Sequence, residues 1–374
     1  MTGFHWLLAA LLLNTLNVCG QAKRLPVNRL EHYTDHGPRR WRGTIGGQAV
    51  TLQLDSNRWG YSGSYYYDRR GRELHLYSEK GPTKRNQLTL RETVESATTG
   101  YFELNKPIGV QLSGTWRSPD GKRRLPLALH ETYADALAYD EETWELNRFV
   151  VSPYHPNTNI DSATFHQSYL RLRQPLTAAT RQIQQALRRP APVRRMGHYL
   201  DSLLRVKQEV RSDYSFTGYQ YVLYNSNYLF SVVQFEHFNT LHYDDDAYSH
   251  QRSRRSTYDL RTGRRLALPD LLRSNYGPQL RRLLLQQLKP VWENPHYDQV
   301  GANGKLPASG FLVTATGLSF TYDERDDESL SFPGPYHADQ TIEVEIPYET
   351  LLPILRPDSP LTTLLLERKL LTRK

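Results

Sequence analysis

Residues 41–77 read WRGTIGGQAVTLQLDSNRWGYSGSYYYDRRGRELHLY, and this stretch decides the fold of the N-terminal half. Within it, Thr51-Leu52-Gln53-Leu54 alternates polar and apolar side chains, the period of a half-buried strand. Residues 41–45, 49–54, 61–67 and 74–77 are short runs rich in β-branched and aromatic types, separated by Gly46-Gly47 and Asp68-Arg69-Arg70-Gly71, which supply glycine where a turn needs positive φ. The cadence continues through 88–92, 100–104, 110–116 and 125–130, with Leu88-Thr89-Leu90 alternating again and Ser118-Pro119-Asp120-Gly121 as a further turn. Residues 38–132 therefore form an antiparallel meander of eight strands. Closing such a sheet removes its exposed edges, which favours a small up-and-down barrel, with a two-sheet sandwich as the alternative. Trp41, Trp59, Trp116, Tyr61, Tyr65, Tyr66 and Tyr67 have the flat faces that stack on sugars, and are equally ordinary strand residues. Consecutive Tyr65-Tyr66-Tyr67 must alternate faces, so at least one points into a core.

Upstream of the meander, residues 1–22 contain no Lys, Arg, Asp or Glu, and Trp6 to Leu13 is uninterruptedly apolar. Such a run is too short to span a bilayer, and small residues at Gly20 and Ala22 suit cleavage before Lys23, so 1–22 reads as a signal peptide and the mature chain as periplasmic or secreted. Cys19 is the sole cysteine, and Asn17-Val18 before it departs from a lipoprotein signal, which makes a lipid anchor the lesser reading. A mature chain without cysteine is no thiol enzyme, disulfide scaffold or Cys-ligated zinc protein. Residues 23–37 read as an N-terminal arm; His32 and His36 flank Asp35 at a metal-like spacing, but with no third ligand in view.

Downstream, residues 133–148, with Asp140-Glu141-Glu142, read as a short acidic helix or linker, and a second domain spans 149–358. Leu176, Ala179, Ile183, Ala186 and Leu187 recur at helical spacing, as do Met196, Tyr199, Leu200, Leu203 and Leu204. The period then changes to that of strands over 219–223 and 228–240, with Asn225-Ser226-Asn227 as a hairpin turn. An amphipathic helix from Gly277-Pro278 carries the stripe Leu280, Leu283, Leu284 and Leu288; strands at 311–320 and 342–346, a short helix at 348–355 and a tail helix within 359–374 complete the chain. Strands and helices mix without βαβ alternation, so the fold class is α+β.

The order Tyr258-Asp259-Leu260-Arg261-Thr262-Gly263-Arg264-Arg265-Leu266-Ala267-Leu268-Pro269-Asp270-Leu271-Leu272, then a helix, the strand at 311–320 and Ile342-Glu343-Val344-Glu345-Ile346-Pro347-Tyr348, resembles the extracytoplasmic domain of RsiV-type anti-sigma factors. A domain of unknown function of the same kind accompanies some peptidoglycan deacetylases. The resemblance covers roughly 149–355 and implies an α+β domain that binds a lysozyme-type protein. Two stretches depart from it: Ser331-Phe332-Pro333-Gly334-Pro335-Tyr336, and the loop from Tyr243 to His250. Neither a spanning helix nor a deacetylase catalytic domain accompanies the domain in this chain, and the loops that would meet a partner are where it differs.

The chain shows no Gly-x-Ser-x-Gly elbow, His-Glu-x-x-His or glycine-rich phosphate loop, and no cofactor or metal motif. Its densest chemistry is Glu236, His237, His242, Asp244, Asp245 and Asp246, which lacks the glycine and terminal glutamate of an EF-hand; a second acidic loop runs over Asp323, Glu324, Arg325, Asp326, Asp327 and Glu328. Candidate ligand-binding residues are accordingly Asp244, Asp245, Asp246, Tyr248, His250, Asp323, Asp326, Asp327 and Tyr336. Composition sharpens the partner question. The 374 residues carry a net charge of +8, and residues 23–132 alone hold 19 basic and 11 acidic side chains, so the entire excess lies on the arm and meander together. In an exported protein, anionic envelope polymer or lipid headgroups, rather than nucleic acid, suit that charge. The sequence thus reads as a cell-envelope binding protein for a lysozyme-type protein or peptidoglycan-related glycan; the alternative is a hydrolase or deacetylase with a carboxylate cleft assembled only by folding.

Overall fold

The structure, a computed structural model, describes residues 29–57, 60–79, 86–151, 160–173, 175–187, 197–198, 200, 212–242, 248–292, 306–307, 310–322 and 342–372. Eight strands, β2 (Arg39–Ile45), β3 (Gln48–Asn57), β4 (Gly60–Tyr67), β5 (Leu74–Ser78), β6 (Gln87–Val94), β7 (Ala97–Asn105), β8 (Gln111–Arg117) and β9 (Arg124–Glu131), form a closed antiparallel barrel. Closure comes from β9 pairing back on β2, Trp41 opposite Glu131 through Ile45 opposite Leu127. The alternation read in the sequence sets the faces. Val50, Leu52 and Leu54 point inward to a core shared with Trp41, Tyr65, Leu90 and Phe102, so the barrel is filled by side chains. Tyr65 is buried in that core, whereas Tyr66, one residue on, points outward and packs in the core of the rest of the molecule.

A six-stranded sheet has the order β1 (Arg29–His36), β10 (Tyr139–Val151), β11 (Ile160–Leu172), β12 (Ser212–Ser226), β13 (Leu229–His242), β14 (Tyr248–Asp259). Only β11 and β12 are parallel, and the crossover that a parallel pair requires includes helix α1 (Ala178–Leu187), whose Ile183 and Leu187 are buried. A three-stranded sheet, β15 (Phe311–Val313), β16 (Gly317–Tyr322) and β17 (Ile342–Pro347), packs with helix α3 (Tyr276–Trp292), which follows the short α2 (Leu268–Leu271). All four leucines of the α3 stripe are buried. The C-terminal segment is α4 (Tyr348–Leu351), a 3-10 turn and α5 (Pro360–Glu367), capped by Ser359, whose hydroxyl accepts from the Thr362 amide at 3.0 Å. The architecture is α+β.

Four expectations change. Residues 29–36, read as part of an arm, are strand β1, held along its whole length against β10; His32 stacks on Trp144 at 3.9 Å, and His36 Nδ1 lies 3.0 Å from Asp140. The chain therefore enters the large sheet first, leaves it to build the barrel, and returns: the barrel is inserted between two neighbouring strands. Residues 139–148, read as an acidic helix or linker, are likewise strand. Their carboxylates are matched across the pair, Asp140 by Arg173 at 2.9 Å and Glu142 by Arg171 at 3.1 Å. The segment 311–320 is a hairpin, turned where the Thr314 hydroxyl accepts from the Gly317 amide at 2.9 Å. The β12–β13 turn lies at Asn227-Tyr228, both at positive φ, with Arg261 3.9 Å over the Tyr228 ring. Of the helix expected near 196–207, residues 197, 198 and 200 are helical and the remainder lies outside the described residues.

Barrel and sheets are joined through Asp135. Arg40 approaches its carboxylate at 3.1 Å and Arg42 at 3.2 Å, and the Asn227 amide donates to it at 2.8 Å. Arg42 also reaches Asp68 at 3.1 Å. At the far end, Arg368 after α5 donates to the Asp68 and Ala315 carbonyls, so the C-terminal helix clamps the barrel to the small sheet. Burial would raise the Asp135 pKa, but Arg40, the Asn227 amide and Arg42 outweigh it and hold the carboxyl below its usual range; hydrogen bonds and charge from Arg39 lower Glu131. A carboxyl depressed in the folded state contributes stability that is complete above its unfolded pKa of about 4 and is lost as pH falls through the depressed value. We predict that stability is flat from neutral pH down to about 5 and falls steeply below about 4. Unfolding midpoints measured across that range check this, and an unchanged midpoint at acid pH would refute it.

Candidate functional site

Between the barrel and the small sheet lies a cleft of about 400 Å³. Barrel residues Gln53, Ser64, Tyr66, Arg72 and Glu73 form one wall, and Leu223, Thr316, Glu343 and Glu345 stand on the other. The close approach behind it depends on Gly71: its φ is +73°, and a Cβ there would lie 2.2 Å from the Ala315 carbonyl oxygen. The two glutamates share a face because β17 alternates, with Ile342, Val344 and Ile346 buried beneath them. Glu345 accepts from the Thr314 and Thr316 hydroxyls; Glu343 accepts from the Ser319 hydroxyl at 2.5 Å.

Two features of the far wall depart from ordinary sheet structure. A register shift between Val222 and Tyr224, which face Val232 and Ser231, leaves Leu223 as an extra residue; the bulge thrusts it out, 44% exposed, into a polar cleft. Behind Glu343 stands Arg255 of β14, only 6% exposed, whose Nε and Nη1 have no hydrogen-bond partner among the described residues; Nη1 is 3.7 Å from Glu343. Burial lowers the guanidinium pKa against the opposing pull of Glu343 and Tyr221. Tyr219 and Phe235 line a different pocket on the large sheet, and the aromatic row leading there begins at Tyr221, whose phenol burial pushes up against the pull of Arg255. Its ring is 5.8 Å from Tyr219, which stacks on Phe235 at 4.7 Å, with His237 6.2 Å further on. Aromatic faces beside carboxylates and hydroxyls are the equipment of a site for a polar, ring-shaped ligand.

Of the nine candidate ligand-binding residues read from sequence, two fall among the described residues, and those by their backbones alone. Asp244, Asp245, Asp246, Asp323, Asp326, Asp327 and Tyr336 lie outside the described residues. The backbones of Tyr248 and His250 are in β14, opposite Thr240 and Phe238. Glu236 and His237 sit in β13, opposite Arg252 and Gln251, and among the described residues no cluster of three His, Asp or Glu side chains could hold a metal. Of the aromatics read as a stacking set, Trp41 and Tyr65 are barrel core, Trp116 donates to buried Glu92, Tyr66 lines the cleft, and Trp59 is outside the described residues. The Glu343/Glu345 pair was legible, since a strand read at 342–346 must put both on one face. Leu223 and Arg255 carried no sequence signal, because a bulge and an orphaned guanidinium exist only once strands pair.

No protein-family profile and no curated protein sequence matches the chain. Among solved structures, it is similar to a DUF3298-family member from Bacteroides fragilis, with a TM-score of 0.43 and 18% identity, over 59% of this chain and 95% of the other. It is also similar to a DUF3298-family protein from Pseudomonas aeruginosa, with a TM-score of 0.37 and 14% identity, over 60% of this chain and 97% of that one. The likeness to the anti-sigma-factor domain rests on the sequence motif alone. Among the described residues no helix is long and apolar enough to cross a membrane.

Proposed function

We propose that this is an exported cell-envelope binding protein whose inter-domain cleft holds a segment of envelope polysaccharide, peptidoglycan-related glycan being the ligand class we favour. The observation behind it is that Glu343 and Glu345 line one cleft with Tyr66 and the exposed Leu223, close to Tyr221, from which an aromatic row leads to Tyr219 and Phe235 in a neighbouring pocket. Rings offer flat apolar faces to sugar C–H surfaces, and the carboxylates accept from hydroxyls. The basic excess of the barrel supplies long-range attraction to anionic envelope polymer, which salt weakens. The full chain is expected to co-sediment with purified peptidoglycan sacculi, less so as NaCl rises, and Tyr221→Ala is expected to weaken retention about tenfold at fixed salt, the loss of one stacked aromatic. Failure of the chain to sediment with sacculi at low salt would refute the reading; capture of a lysozyme-type enzyme instead would favour a protein ligand.

The same cleft supports the alternative of a hydrolase, because it assembles the carboxylate pair that chemistry would need. Release of reducing ends from the polysaccharide, abolished by Glu343→Gln or Glu345→Gln, would establish turnover.

A further inference from the structure

We infer that the cleft reads the acetamido group of an N-acetylated amino sugar, with Glu343 and Arg255 as its polar contacts and Leu223 with the Tyr221 ring as the seat of its methyl. This deepens the glycan reading above and rests on it.

Arg255 is the starting point. A guanidinium 6% exposed, with Nε and Nη1 lacking acceptors among the described residues, is an uncommon and unfavourable arrangement, and the Glu343 oxygen at 3.7 Å is beyond hydrogen-bonding distance of Nη1. The Glu343 side chain is itself 57% exposed and stands between Arg255 and the cleft, so when it turns toward a ligand, an acceptor can reach the guanidinium behind it. Donors that lack an acceptor thus stand next to an acceptor with free capacity. The ligand group that completes both must present an acceptor and a donor side by side.

Four groups found on envelope glycans can be compared. A carboxylate or phosphate satisfies Arg255 but meets Glu343, Glu345 and Glu73 as like charges. A free amine suits the glutamates and is repelled by Arg255 and Arg72. A vicinal diol offers donor and acceptor together, yet gives no role to Leu223, which the β12 bulge exposes among polar neighbours. A secondary amide supplies a carbonyl oxygen for Arg255, an N–H for the Glu343 carboxylate, and an apolar methyl that Leu223 and the Tyr221 ring can cover.

Three tetrasaccharides share one β-1,4 backbone and differ only at the 2-position: chitotetraose (acetamido), cellotetraose (hydroxyl) and the fully deacetylated glucosamine tetramer (amine). Calorimetric titration of the full chain is expected to show chitotetraose binding at least about tenfold tighter than either of the others. Leu223→Ser, at an exposed bulge, is expected to bring the ratio of chitotetraose to cellotetraose affinity down to about one; Glu343→Gln is expected to weaken chitotetraose about tenfold. Equal affinity for chitotetraose and cellotetraose, or preference for the amine form, overturns the inference and leaves the glycan reading standing. Sacculus binding without binding of any tetramer also overturns it, and loss of both refutes the glycan reading as well.

Discussion

Asp135→Ala is expected to lower the unfolding free energy by about 3–5 kcal/mol, the cost of leaving a buried charge without its partner. Arg40 is 1% exposed, and Asp135 supplies its only carboxylate among the described residues. Its remaining acceptors, the Thr132 carbonyl at 3.0 Å and the Ser226 hydroxyl at 2.6 Å, are neutral. The alanine also strips the Asn227 amide of its acceptor at the positive-φ turn and leaves Arg42 with Asp68 alone. Because the contact ties the barrel to the β12–β13 hairpin, part of the loss is expected as decoupling. Denaturant unfolding of the variant should then show barrel and sheets melting at separate midpoints by fluorescence and circular dichroism, where the parent melts at one. The double variant Arg40→Met/Asp135→Leu is expected to recover most of the loss, since two apolar groups need no mutual compensation. A loss under about 1 kcal/mol for Asp135→Ala would contradict a charge-compensating role.

The eight-stranded meander was legible because its faces, turns and neighbour-to-neighbour pairing are local. Leu52-Gln53-Leu54 and Leu88-Thr89-Leu90 fix faces by alternation, and Gly46-Gly47 fixes a turn, so strand order follows chain order. The insertion of that barrel between β1 and β10 was not legible, because the pairing joins Arg29 to Asn147 across the whole domain and alternation names no partner. Acidic residues 140–142 looked helical for the same reason: the arginines that pair with Asp140 and Glu142 are Arg171, on the neighbouring strand, and Arg173, just past its end, some thirty residues downstream. The cleft divides along this line. Glu343 and Glu345 share a face by local rule, whereas their convergence with Tyr66, Leu223 and Glu73 is set by packing of elements distant in sequence.

Glu92 carries the second large effect, and Gly100 is the residue that makes it possible. The Glu92 carboxylate, buried at one end of the barrel, accepts from the Tyr65 hydroxyl at 2.5 Å, the Thr99 hydroxyl at 2.6 Å and Trp116 Nε1 at 2.8 Å. Burial, with the neighbouring carboxylate, pushes the Tyr65 phenol far above its usual range, so it serves as a donor throughout the accessible pH range. A register shift between Glu92 and Thr93 opens the ladder opposite Gly100, and there the Trp116 indole lies across the strand: a Cβ on Gly100 would be 2.4 Å from Nε1 and 2.6 Å from Cε2. Glu92→Ala removes the common acceptor and leaves buried Tyr65 and part-buried Trp116 as unpaired donors, at about 1–3 kcal/mol each, for an expected total of about 2–4 kcal/mol. Gly100→Ala leaves the carboxylate in place but displaces the indole from it, for an expected cost of about 2–3 kcal/mol and a change in near-ultraviolet circular dichroism from the moved tryptophan. The two losses should be strongly non-additive, because once Glu92 is gone the indole has no bond left to lose. Additive losses in the double variant would show that Gly100 supports the barrel by some route other than seating Trp116 on Glu92.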